Sequence, residues 1–501
     1  MPGFADRCPA WSSIYDHAGG YGDGSGLDIA VAVVAGEGLV YSAGYSRDDG
    51  SDSDAVVVAH DPATGARRWV HRYDGVASAF DAALDAALSV DGERLYVAGT
   101  QDSASGIADY LILALDAGTG ERLWSARYDH GEIDFGQGLA VGSPNVHDER
   151  SGADRVYVTG QSQGDDYDSA TVAIDGLTGQ RLWSARYAEA SGVLRWDSTY
   201  AVAVDPSGER LVVAGERWSE ESMSFDALVV AYDTGIHDDE EVQSGGDELW
   251  VARRPRGTTY RVAFAAGGAR VVAGGTSFRS GSMNLLQPST DYLVWGLDPG
   301  TGATEWSDAW SGFSPNGGEN ILTGLAVAPD GSRAYVTGVA SGVAEGDDDI
   351  GTVAYDASSG QRAWTSRYGA PGHVGDAGLS VAVAPDGERV YVSGISAPAL
   401  DRWLIISNQF VFQGVAAEPP QGDGTVLALD RATGRAMWTG RHNAGAHGEE
   451  AGFAFDVAVA PDGDRVFAAG WTLRRVDMAD EDPTDARRNR YDLTTAAYAT
   501  S

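Results

Sequence analysis

A chain of 501 residues with 43% hydrophobic content, 14 Trp and 21 Tyr carries enough apolar material for a large packed core, which excludes global disorder. Its formal net charge is −38 and every basic residue is Arg, which excludes a nucleic-acid backbone as partner and a lysine Schiff base as a catalytic device. The single cysteine, Cys8, excludes internal disulfides, Cys-ligated zinc and c-type haem attachment. No run approaches the length of a membrane span, and Met1 to Cys8 has no apolar signal core. The expected place is therefore the cytoplasm, or outside it if an export signal has been removed.

In chain order, the first strand-like stretch is Trp11-Ser-Ser-Ile-Tyr-Asp-His17. A unit then repeats at more than fifty residues, the period of a propeller or solenoid. An apolar strand reaches a turn such as the Pro-Asp-Gly of 385–387. A second strand, such as Arg389-Val-Tyr-Val-Ser-Gly394, leads into a polar loop that ends in Asp. A third strand runs to a Thr-Gly turn, and a fourth carries a Trp and commonly ends Arg-Tyr. Asp-Gly and Thr-Gly fit two-residue hairpin turns, so both connections are expected to be tight.

Third strand, turn and fourth strand together read A-x-D-x-x-T-G-x-x-x-W. Ala59–Trp69, Ala114–Trp124, Ala173–Trp183 and Ala428–Trp438 fit in full, and Gly296–Trp306 and Ala354–Trp364 fit with one substitution each. Second strands end in Gly44, Gly99, Gly160, Gly215, Gly275, Gly338, Gly394 and Gly470, which makes eight units. Third strands open at Asp54, Asp109, Asp168, Asp226, Asp291, Asp349, Asp423 and Asp492. The eighth unit stops at Ser501 without a fourth strand. Trp11–His17 resembles Trp124–His130, and a strand over about 9–17 is expected to supply it, since closing the ring this way leaves no unpaired edge between the chain ends. The fold expected is all-β, a single eight-bladed β-propeller of four-stranded antiparallel blades whose last blade is closed by the N-terminal strand. Trp11, Trp69, Trp124, Trp183, Trp250, Trp306, Trp364 and Trp438 hold one position in the unit and are read as wedges between neighbouring blades.

This pattern resembles the tryptophan-docking motif of the PQQ-like, quinoprotein alcohol dehydrogenase-like propellers. The resemblance implies eight blades, with each Trp stacked on the next blade's motif. The family's dehydrogenases hold a quinone between a Trp and a disulfide of adjacent cysteines, beside a calcium ion. Cys8 alone cannot form that disulfide, so a member without the quinone is expected, with no cofactor predicted and Ca²⁺ possible.

Departures from the unit mark where function is expected. Insertions fall at 236–247, 276–291, 395–423 and 471–490, and the first turn of the third unit lengthens through 143–154. The 395–423 and 471–490 insertions belong to neighbouring blades and are expected side by side on one face. Residues 401–412 are apolar and aromatic where other loops are polar, and Arg474, Arg475, Arg487, Arg488 and Arg490 concentrate positive charge nearby. Trp403, Phe410, Phe412, Arg474 and Arg475 are the candidate ligand residues, for a protein, peptide or carbohydrate on that loop face. A monomer is expected, and the alternative is an enzyme using acids at the channel mouth.

Asp81, Asp134, Asp197 and Asp376, with Asp28 close by, recur where blade-linking loops enter the innermost strands. They are candidate ligands for a hard cation, weighed against capping of their own loops. His17, His130, His373, His442 and His447 lie in or beside the same loops and are expected to be solvated. Asp48–Asp54 and Asp347–Asp349 resemble calcium loops in composition only. Gly160-Gln-Ser-Gln-Gly164 matches a nucleophile elbow by letter, but no helix is expected after Ser162.

Overall fold

The computed structural model of the protein describes residues 5–16, 27–47, 53–75, 80–103, 106–142, 154–164, 166–188, 196–236, 245–279, 289–314, 318–342, 347–371, 375–397, 422–442, 452–475 and 489–500. Their strands form eight radial blades, each an antiparallel meander of strands a to d counted outward from the axis. Blade 2 shows the plan: strand a is Asp81–Leu88, b Arg94–Asp102, c Ala108–Asp116 and d Arg122–Tyr128. Blade 1 covers 27–73, blade 3 134–187, blade 4 197–254, blade 5 257–310, blade 6 321–368, blade 7 375–442 and blade 8 452–499. Strands b and c are buried on both faces and read as near-continuous apolar runs, whereas strand d alternates between exposed and buried positions.

The N-terminal strand closes the ring as expected. Trp11–Tyr15 runs antiparallel to the last strand, pairing Trp11 with Ala497 and Tyr15 with Leu493, and so becomes strand d of blade 8. Ala5–Arg7 lies parallel to strand d of blade 7, with Ala5 opposite Trp438, so the N-terminal segment straddles two blades. Thr439 donates to Asp6 at 2.6 Å and secures that fifth strand.

Connections a–b and c–d are longer than the two-residue turns the sequence suggests. Strand c of blade 2 ends at Asp116 and strand d starts at Arg122, with Gly120 N–H bonded back to the Asp116 carbonyl. The motif Asp explains the length. Asp116 Oδ1 accepts from Thr119 N–H and the Thr119 hydroxyl, both at 2.8 Å, and this side-chain cap organises a larger loop. Those bonds hold the Asp116 carboxyl below its ordinary range.

The same turn receives the neighbouring blade's tryptophan. Trp69 Nε1 donates to the Ala117 carbonyl at 3.1 Å, and the bond recurs from Trp11 to Pro62, Trp124 to Gly176, Trp183 to Thr234, Trp250 to Pro299, Trp306 to Ala357 and Trp364 to Arg431, within 2.8–3.1 Å. Gly120 has φ +74, and a Cβ there would lie 2.5 Å from the Trp69 ring, so backbone conformation and packing both require glycine. In blade 4, whose motif is split by the 236–247 insertion, Gly245 and Gly246 take that place against Trp183. A tyrosine of strand b joins the contact. Tyr41 packs on Trp69 with ring centroids 5.7 Å apart, and its hydroxyl donates to the same Ala117 carbonyl.

Blade 8 cannot offer this turn to Trp438, because its strands c and d are not joined. Trp438 Nε1 has no hydrogen-bond partner among the described residues. Arg7 lies over the indole instead, 5.0 Å from the ring, and donates to the Ala499 carbonyl at 2.6 Å.

Two measurements check this account. Trp183→Ala should lower unfolding stability by about 3–5 kcal/mol in a denaturant titration, and a change under about 1 kcal/mol would place the indole outside the core. Deleting residues 1–17 should expose the outer edges of blades 7 and 8 and cause aggregation seen by size-exclusion chromatography; a soluble, equally stable truncation would contradict closure through the N-terminus.

Candidate functional site

Blade-linking loops and b–c loops emerge on one face, here called upper, and the docking turns occupy the other. Strand a of each blade begins on the upper face and carries one bulge at a fixed register, between Ala83 and Asp85 in blade 2 and between Gly378 and Ser380 in blade 7. Two residues before that bulge stand Asp28, Asp81, Asp134, Asp197 and Asp376, all buried. The first four open blades 1 to 4, Asp376 opens blade 7, and each sits at its own joint with the preceding blade.

Where their bonds are resolved, they cap the incoming loop. Gly75 N–H donates to Asp81 at 2.6 Å, His130 N–H to Asp134 at 2.7 Å and Ala370 N–H to Asp376 at 3.0 Å. Burial pushes Asp81 and Asp376 up to about 7, and raises Asp134 in the same direction, because the charged form loses water.

What these acids approach is the preceding blade. Asp81 groups with Asp54 and Asp74, Asp134 with Asp109 and Asp129, and Asp28 with Asp16 and Asp492. The acids opening strand c are mostly held by arginines: Arg72 on Asp54, Arg127 on Asp109, Arg186 on Asp168, Arg279 on Asp291 and Arg367 on Asp349. The signal for Asp16, Asp74 and Asp129 was in the sequence, since each lies five residues beyond its motif Trp. It went unread because they follow a strand rather than occupy one.

A second set of charges surrounds the axis and was also missed. Asp85 of blade 2, Arg261 of blade 5 and Asp456 of blade 8 share the position just after the bulge. Asp85 accepts from Leu139 N–H of blade 3 at 2.8 Å, and Asp456 from Val33 N–H of blade 1 at 2.9 Å and the Ser380 hydroxyl of blade 7 at 2.7 Å. Burial is the main cause lifting Asp85 to about 7, raising Asp456 and lowering Arg261, while attraction between the acids and the guanidinium opposes it. Aligning the first strands would have exposed these residues as charges in alanine-rich runs.

The remaining candidates separate cleanly. Ser162 lies inside strand b of blade 3, Arg155–Gln163, and receives a hydrogen bond from Arg186, so it is no elbow nucleophile. His442 is buried rather than solvated, with Thr472 Oγ1 3.4 Å from Nε2, and burial lowers it to about 4. His130 stacks on Tyr128. Asp347 and Asp349 both pair with Arg367. Arg474 and Arg475 prolong strand b of blade 8, opposite Arg490 and Asn489, so the 471–490 insertion begins as an extension of that hairpin. The side chains of Arg474 and Arg475, the whole of 401–412 with Trp403, Phe410 and Phe412, and His17, His373 and His447 lie outside the described residues.

Residues 53–291 and 290–480 match the sequence profile of a PQQ-like repeat family described as outer membrane protein assembly factor BamB. The chain belongs to this family. Among curated proteins none matches. Quinohemoprotein alcohol dehydrogenase from Comamonas testosteroni is similar in fold at a TM-score of 0.51 and 15% identity, over 98% of this chain and 76% of that one. Chaetomium thermophilum Sqt1, in a structure bound to the N-terminus of the ribosomal protein L10, is similar at 0.52 and 13%, over 97% and 98%. Cys8 stands exposed between the strands Ala5–Arg7 and Trp11–Tyr15, at the outer rim of the ring.

Raised carboxyls give a pH signature. A buried Asp whose folded value stands at about 7, against an ordinary 3.8, favours the folded state fully below pH 3.8 and loses that contribution as pH climbs through 7. Asp376→Asn keeps the acceptor for Ala370 N–H and removes the ionisation. Its melting temperature relative to the parent chain should therefore rise between pH 4 and pH 8, and a pH-independent difference would contradict the assignment.

Proposed function

We propose that this protein is a non-catalytic binding scaffold that takes a protein, peptide or carbohydrate ligand on its upper face, over the 395–423 and 471–490 insertions of blades 7 and 8. The observation that supports it is the unequal use of the two faces. The lower face is committed to docking turns and indoles, which fix the blades against one another. The three longest insertions, 276–291, 395–423 and 471–490, interrupt b–c connections and so leave the ring on its upper side, the usual place for recognition loops on a fixed scaffold, whereas 236–247 and 143–154 lengthen turns of the lower side. Arginines extending the blade 8 hairpin suit a ligand bearing carboxylates. The same fold, in the Sqt1 structure, accommodates the N-terminus of a ribosomal protein.

An enzymatic reading draws on one observation: Asp81 and Asp376, at the upper ends of strands a, titrate near neutrality, where acid–base catalysts operate. Their burial, their bonds to their own loops and their places at separate joints favour a structural role.

Replacing 401–412 by a short Gly/Ser link separates the two readings. Peptide and glycan arrays probed with the intact chain should yield ligands, and the variant should lose them while keeping its melting temperature. Ligands that survive the replacement would contradict the assigned sector. Hydrolysis of an array member that Asp81→Asn abolishes would establish the enzyme instead.

A further inference from the structure

At two adjacent joints, three carboxylates from two blades converge. Asp54 lies in the first turn of strand c of blade 1, Asp74 just beyond its strand d, and Asp81 at the start of strand a of blade 2. They bring one oxygen each within 4.8 Å of one another, as do Asp109, Asp129 and Asp134 at the joint of blades 2 and 3. Asp16, Asp28 and Asp492 repeat the arrangement between blades 8 and 1.

Register makes the recurrence specific. After strand d, the position held by Asp74 and Asp129 is Ala188, Pro255, Ser311, Gly369 or Asn443 in blades 3 to 7. Two residues before the bulge, blades 5, 6 and 8 have Gly257, Asn320 and Gly452. The complete trio is thus confined to three successive joints.

A second observation points to a ligand. Asp81 is 1% exposed and Asp134 0%. In each, Oδ2 accepts a loop N–H while Oδ1 is buried and makes no well-formed hydrogen bond among the described residues, its nearest donors being the Asp102 N–H for Asp81 and the Ser162 hydroxyl for Asp134. A buried carboxylate oxygen without a well-formed hydrogen bond or a cation is costly, and both are part of a trio. Charge leads the same way. Arg72 pairs with Asp54, and Arg127 with Asp109 at 2.9 Å and Asp129 at 2.6 Å. When all three are ionised, three carboxylates against one guanidinium leave two negative charges at each joint, the amount one divalent cation balances. All donors are oxygens, which selects a hard cation, and an irregular set completed by water suits Ca²⁺ better than the near-octahedral demands of Mg²⁺.

We propose that the joints of blades 1 and 2 and of blades 2 and 3 each bind one Ca²⁺, through Asp54, Asp74 and Asp81 and through Asp109, Asp129 and Asp134. The ion ties the end of one blade to the start of the next on the upper face, opposite the docked indole that ties them below. This inference does not rest on the binding reading above, because it concerns the ring's own joints.

The test is calorimetric titration of the EGTA-treated full chain with CaCl₂, alongside thermal unfolding with and without chelator. Heat with at least two ions per chain and a chelator-sensitive melting temperature are expected. Asp74 and Asp129 are both exposed, so Asp74→Asn and Asp129→Asn preserve the fold, and each should bind one ion fewer. Asp376→Asn, where Gly369 breaks the trio, should leave the number unchanged. Absence of heat and of any melting shift would overturn the proposal. So would undiminished binding in the Asp74→Asn/Asp129→Asn double variant, or loss of an ion in Asp376→Asn. Equal affinity for MgCl₂ would overturn the choice of Ca²⁺.

Discussion

The ring depends on one contact, an indole of strand d seated on the glycine turn of the next blade. The contact explains the whole motif. Asp and Thr shape the loop through side-chain caps, glycine supplies the left-handed backbone and the space for the ring, and Trp reaches a carbonyl left open by that loop. None of these residues is useful without the others, which is why they recur together. Blade 4 shows that the requirement is physical rather than one of spacing: an insertion splits its motif, and two later glycines return to the same indole.

The seam obeys the same constraint by other means. Closing a ring with the chain's own end interrupts one docking turn, and Trp438 is the indole left without it. Arg7 covers that ring as a cation over an aromatic face, carried there by a strand that adds to blade 7 before the chain crosses to blade 8. Eleven residues at the N-terminus thus hold two blades, a stronger join than a single shared strand.

Fixing the blades from below frees the upper face and concentrates charge near the axis. Post-bulge acids bridge adjacent innermost strands through backbone N–H groups, and strand-opening acids of c are held by arginines of d or of the b–c loop. The post-bulge acids thus join neighbouring blades, while the acids of strand c are tied within their own blade. Among the described residues, three carboxylates bring an oxygen each within 4.8 Å of one another at the joints of blades 8 and 1, 1 and 2, and 2 and 3.

The eight blades, their boundaries and the closing strand were legible in the sequence, because docking demands the same residue types at the same spacing in every unit. Local chemistry alone dictates Asp, Thr, Gly and Trp there, and counting Trp11 with the others sets the number. The added strand at Ala5–Arg7 and the substitution of Arg7 for a turn were not legible, since each depends on a partner distant in the chain. The same holds for the acids. Asp81 and Asp134 could be placed at their strand ends from sequence, but their neighbours Asp54, Asp74, Asp109 and Asp129 belong to the preceding blade. Which carboxylates meet, and which meet an arginine first, is decided only when neighbouring blades pack at a fixed angle around the axis.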